Sequence, residues 1–189
     1  MKRTVVILLS IFLCTSLFGQ ENRVYKSISA AMQQPDSVFI LDLSKQKITA
    51  LPNEVVKFKN LKKLILTKNK IDSLPMSLKG LKNLEEISIE KNKFKLFPPV
   101  FCFMPNLKRL IICRNPIVNM PSCIGDLTNL EYIDMWETEV ADIPIEIQNL
   151  KKLKEIDLRG IAYNSAFQKR LLELLPNAKV HFDLPCNCE

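Results

Sequence analysis

The sequence predicts a curved α/β solenoid, and three observations predict it. One phrase of 23 residues recurs five times between Val38 and Leu150, with copies starting at Val38, Leu61, Leu84, Leu107 and Leu130. Seven positions of each copy call for an apolar residue, and all 35 hold one, in a chain that is 47% hydrophobic overall. A proline also closes the fifteenth position of every copy, at Pro52, Pro75, Pro98, Pro121 and Pro144. A fixed period of this length means stacked structural units that bury their apolar faces only against one another. The 189 residues fit one domain.

The chain divides in order. Residues 1–20 open with Lys2 and Arg3, run apolar from Val5 to Leu13, and finish on small and polar residues around Cys14-Thr15-Ser16. This is the layout of a secretory signal peptide, cleaved near Gly19 or Gln20 and too short to span a bilayer. Cys14 raises a lipid-anchored alternative, but Leu13 is not the small residue wanted just before an acylated cysteine, so free secretion is favoured. The first twenty residues hold both of those basic side chains and no acidic one, so the formal charge of +7 falls to +5 on cleavage. That moderate balance does not ask for nucleic acid. No later apolar run is long enough to cross a membrane.

Residues 21–37 are expected to form an N-terminal cap. Val24, Tyr25, Ile28 and Met32 have helical spacing and stop at Pro35-Asp36, which predicts an amphipathic helix over 23–33. Residues 38–163 are the repeats, five full copies and a partial sixth that keeps Leu153, Ile156 and Leu158. Within a copy, Leu-x-x-Leu-x-Leu alternates in and out and predicts a short strand. The ninth-position asparagines (Asn69, Asn92, Asn115) leave the strand with an amide able to satisfy buried loop backbone. Gln46, Thr138 and Ile161 replace them in copies one, five and six. The apolar-Pro pair then sets an extended entry to a short helical turn on the outer side. Residues 164–189 are expected to cap the far end with a helix over 165–175, an edge strand over 178–182 and a tail carrying Cys186 and Cys188.

These residues resemble the leucine-rich repeat family, in its 23-residue form with Leu-Pro in each copy, over 38–163. The resemblance implies a curved stack with a concave parallel β-sheet, short helical turns on the convex side and helical caps at both ends. It also implies a monomeric fragment that binds another macromolecule, usually a protein, on its concave face.

Polar chemistry is sparse. Four glycines form no phosphate-binding loop, and neither Cys-x-x-Cys pairs nor clustered histidines offer a metal site. His181, the only histidine, reads as a strand residue. No cofactor is implied. Asp134 and Asp157 share a column but are expected in the open, with no pocket to shift their pKa values, so an enzyme is the weakest reading. Cys102 and Cys123 lie 21 residues apart on the outer side of adjacent copies, which permits a disulfide, with buried free thiols as the alternative.

The inner-face positions are the third, fifth, seventh and eighth of each copy. Solvent asks these to be polar, yet Ile65, Ile111, Cys113, Tyr132 and Trp136 stand there, ringed by Arg109, Arg114, Asp134 and Glu137. Aromatic anchors inside a charged ring mark a binding hot spot, so copies four and five are the expected partner site. Packing of Trp136 over Arg159 and Tyr132 is the alternative. A basic ridge at the eighth position (Lys45, Lys68, Lys91, Arg114) suggests a second reading, a cell-envelope protein that contacts anionic glycan or lipid; plain solvation of those lysines is its alternative.

Overall fold

The computed structural model describes residues 22–184; the signal peptide expected at 1–20 and the cysteines of the tail lie outside them. Eight parallel strands form one sheet in strict chain order. They are β1 (Val24–Tyr25), β2 (Ile40–Asp42), β3 (Lys63–Ile65), β4 (Glu86–Ser88), β5 (Arg109–Ile111), β6 (Tyr132–Asp134), β7 (Glu155–Asp157) and β8 (Lys179–His181). From β2 to β7 each residue pairs with the one 23 positions on, so one register runs through the repeats. The opposite side carries a five-residue 3-10 turn in every copy, at Asn53–Lys57, Met76–Gly80, Pro99–Phe103, Ser122–Asp126 and Ile145–Asn149. Each follows the proline of the fifteenth position, whose ring holds φ between −77° and −59° and leaves ψ extended before the turn begins.

Of the 35 apolar repeat positions, 34 are buried in one contiguous core. The remaining one, Ile48, is partly buried because the first copy has only the cap before it. Packing of this kind is worth roughly 1.5–3 kcal/mol per side chain before entropy is charged against it.

Two ladders hold the turns together. Asn115, 1% exposed, accepts from the Asn92 and Phe94 N–H groups and donates to the carbonyls of Ile89, Ile112 and Cys113. Asn69 and Asn92 do the same one and two copies back. Thr138 ends this ladder, since its hydroxyl reaches only Met135 O within its own turn. The second ladder uses the last residue of each copy: Asn60, Asn83, Asn106 and Asn129 each donate to a carbonyl 24 residues back, at Asp36, Lys59, Lys82 and Pro105.

The N-terminal cap corrects the helix expected over 23–33. Val24 and Tyr25 instead add a parallel strand to β2, and the helix α1 is a single turn, Ile28–Ala31. An open sheet edge leaves a row of unpaired backbone groups, and a strand satisfies them where a helix does not. Ser27 then starts α1 by accepting from Ala30 N, and Gln46 ties the cap down through Lys26 O rather than joining the asparagine ladder. At the other end α2 (Ser165–Leu174), capped by Asn164, and β8 stand close to where the sequence places them.

Candidate functional site

The strand face is the only broad surface on which the repeat exposes a regular array, and its columns follow the register. The third-position column runs Lys63, Glu86, Arg109, Tyr132, Glu155. Lys63 pairs with Glu86 at 2.8 Å, and Arg109 lies over the Tyr132 ring at 4.1 Å. Ile65 and Ile111 of the fifth column are half-buried, with Ser88 buried between them.

Aspartates of the fifth column have a structural use that the sequence reading missed. Asp42, Asp134 and Asp157 each accept from the backbone N–H two residues on, at Ser44, Trp136 and Arg159. This local bond turns the chain off the strand. The signal was legible, since Asp-x-Ser, Asp-x-Trp and Asp-x-Arg stand at equivalent places in copies one, five and six.

Trp136 is half-buried, and its partner corrects the expected packing. Arg114, not Arg159, lies over the indole, at 4.2 Å from its centroid. Arg114 is fixed in turn by Glu137 at 3.1 Å and Glu90 at 4.0 Å. Arg159 is engaged by Asp157, to which it donates two side-chain bonds of 3.0 and 2.6 Å.

Cys113 is a second correction. Expected among the exposed residues of the patch, it is only 4% exposed and is the one free cysteine among the described residues. Its thiol lies against the Asp134 carboxylate, and burial first, then that negative charge, push the thiol far above the usual range. It is therefore inert as a nucleophile.

The carboxylates are not in the open, as expected, but in a shallow depression of about 450 Å³ lined by Tyr132, Asp134, Trp136, Asp157, Arg159 and Asp183. Burial raises the Asp134 pKa, against the pull of the Trp136 N–H and Cys113 bonds. Burial also works to raise Asp157, but the side-chain and backbone bonds from Arg159 outweigh it and hold that carboxyl below its ordinary value. Asp183 accepts from Gly160 N at 2.5 Å. Every carboxylate here is thus bonded to the chain's own backbone, which leaves the two aromatic edges as the groups free to meet a partner.

The eighth-position ridge has an unexpected backbone. Lys45, Lys68, Lys91, Arg114 and Glu137 all have φ between 52° and 60°, and Gly160 continues the column at 76°. The left-handed turn is what lets the chain leave the strand while each N–H still bonds the next copy, as Lys68 N does to Glu90 O. On the outer side Cys102 and Cys123 form a disulfide with Cα atoms 5.5 Å apart, joining copies three and four.

A family profile described as a leucine-rich repeat region matches residues 41–181. The chain belongs to that family. Among solved structures it is similar to a leucine-rich repeat protein of Leptospira interrogans, at 29% identity and a TM-score of 0.67, over 87% of this chain and 47% of that one. It therefore spans just under half the length of that protein. No curated protein matches the chain. The leucine-rich repeat fold is that of a protein-interaction module. Among the described residues no group of His, Cys, Asp and Glu is arranged to hold a metal ion, and no helix is long and apolar enough to cross a membrane.

Proposed function

We propose that this leucine-rich repeat chain is an exported, non-catalytic recognition module whose protein partner docks on the strand face over β5 and β6. One observation carries the reading. Tyr132 and Trp136 stand half-exposed on the same copy, each held by a guanidinium on one side and bordering the same open depression. Rings positioned in advance lose little freedom on binding, and they are the residues that most often dominate interface energies. Ile111 widens the apolar centre, while Arg109, Arg114 and Asp134 supply the polar rim.

Export is supported by the signal-peptide pattern at 1–20 and by the Cys102–Cys123 disulfide, a bond that persists in oxidising compartments. Non-catalytic action is supported by the engagement of Asp134, Asp157 and Asp183 in backbone bonds and by the inert Cys113 thiol.

The test is affinity capture from the native envelope with the mature chain and with the Tyr132→Ala/Trp136→Ala variant. A protein retained by the first and lost by the second supports the site. An unchanged set of captured proteins removes it. Sequencing the N-terminus of the natural protein checks export, which requires a start close to Gln20.

A further inference from the structure

The two flanks of the stack treat their basic residues differently. On the flank where the chain enters the strands, Lys108 pairs with Glu85 at 2.8 Å and Lys154 with Glu131 at 2.6 Å. On the flank where it leaves them, copies one to three hold lysine at the eighth and tenth positions, as Lys45, Lys47, Lys68, Lys70, Lys91 and Lys93, and Lys95 adds one at the twelfth. None of these seven forms an ion pair with a described residue. The one carboxylate at those positions in the three copies is Asp72, which accepts from the Ser73 hydroxyl.

Strand spacing sets these ammonium groups in rows with steps of about 4.8 Å, well inside a Debye length of about 8 Å, so their potentials add. The pattern ends at copy five, where Glu137 and Glu139 occupy the same two positions.

An apolar feature adjoins the lysines. Lys93 and Lys95 rim a groove of about 480 Å³ whose floor and far wall are Phe94, Leu96, Phe97, Pro98 and Pro99. Leu96 is 64% exposed, and Val118, bonded through its N–H to Lys95 O in the next copy, is 47% exposed. Elsewhere the repeat buries its aliphatic residues almost completely, so two exposed ones inside a lysine field are anomalous. A glycan would be read by amides or stacked rings; aliphatic side chains among lysines suit a surface that has both anionic headgroups and hydrocarbon.

We infer that this flank docks the protein on an anionic phospholipid surface, with the lysine rows on the headgroup phosphates and Leu96 and Val118 entering the interface. The site lies apart from Tyr132 and Trp136, so a partner and a membrane can be held together.

The experiment is cosedimentation of the mature chain with phosphatidylcholine vesicles and with vesicles that also contain phosphatidylglycerol. Binding is expected only with phosphatidylglycerol, and to fall at least about tenfold between low and physiological salt. Lys68→Glu/Lys91→Glu, both exposed positions, should abolish it, while Leu96→Ser/Val118→Ser, which leaves the charge alone, should weaken it severalfold. Circular dichroism confirms that each variant is folded. Equal binding to both vesicles, or indifference to the charge reversal, overturns the proposal. So does a soluble sulfated glycan that binds as tightly as the vesicles while Leu96→Ser/Val118→Ser changes nothing, because the flank would then read charge alone.

Discussion

Asn115→Ala is the substitution that tests the architecture most directly. The Asn115 side chain is almost fully buried and makes five hydrogen bonds, two accepted from the N–H groups of Asn92 and Phe94 and three donated to carbonyls. Alanine leaves two buried N–H donors without a partner, and each such orphan costs about 1–3 kcal/mol. The carbonyls, with two lone pairs apiece, add less. A loss of about 4 kcal/mol is expected, a large fraction of the 5–15 kcal/mol that holds a typical domain. With a urea dependence of about 2 kcal/mol per molar, the midpoint should drop by about 2 M. Thr138→Ala at the equivalent place in copy five is the internal control. It removes one bond, to a carbonyl of its own turn, and should cost about 1 kcal/mol. Unfolding is followed by far-ultraviolet circular dichroism and by the fluorescence of Trp136, the single tryptophan, which reports the copy next door. Equal losses for the two variants would refute the ladder as the source of cohesion between copies.

Two further outcomes follow from the backbone and the cross-link. Gly160→Ala should cost about 1–3 kcal/mol, because Gly160 has φ +76° and an added Cβ would stand 3.0 Å from Glu137 N and 2.9 Å from Glu137 Cγ; a melt unchanged from the parent would show that the column has slack there. Reducing the Cys102–Cys123 bond, which closes a loop with a sequence separation of 21, should lower stability by about 3 kcal/mol, read as a difference in urea midpoint with and without a thiol reductant. Cys113 does not obscure the second result, since it is buried and has no disulfide in either state.

The repeat was legible in the sequence because its signal is redundant. A position such as Leu64 or Leu110 needs only to be apolar at the right spacing, and the same requirement is restated in every copy. The parallel register, the proline-started turns, the ninth-position asparagines and the far cap around Asn164 and Leu171 all follow from that. The near cap was not legible. Val24, Tyr25, Ile28 and Met32 fit a helix by local spacing, and what decides against it is the open edge of β2, a partner 16 residues further on.

The site divides along the same line. Sequence located Trp136, Tyr132 and Ile111 on the inner face, because the alternation of a strand fixes which side a residue leaves from. It could not say that Cys113 is covered, that Arg114 rather than Arg159 lies over the indole, or that Asp134 and Asp157 border a depression. Those depend on side chains from copies 23 residues apart meeting across a strand spacing, and only the stacked structure sets their rotamers. The lysines of the outgoing flank were visible as a column, but that their counterparts on the other flank are neutralised by Glu85 and Glu131 and they are not was decided by the fold. Sequence by itself determined what each copy must bury; tertiary structure decided which charges and rings the copies leave one another.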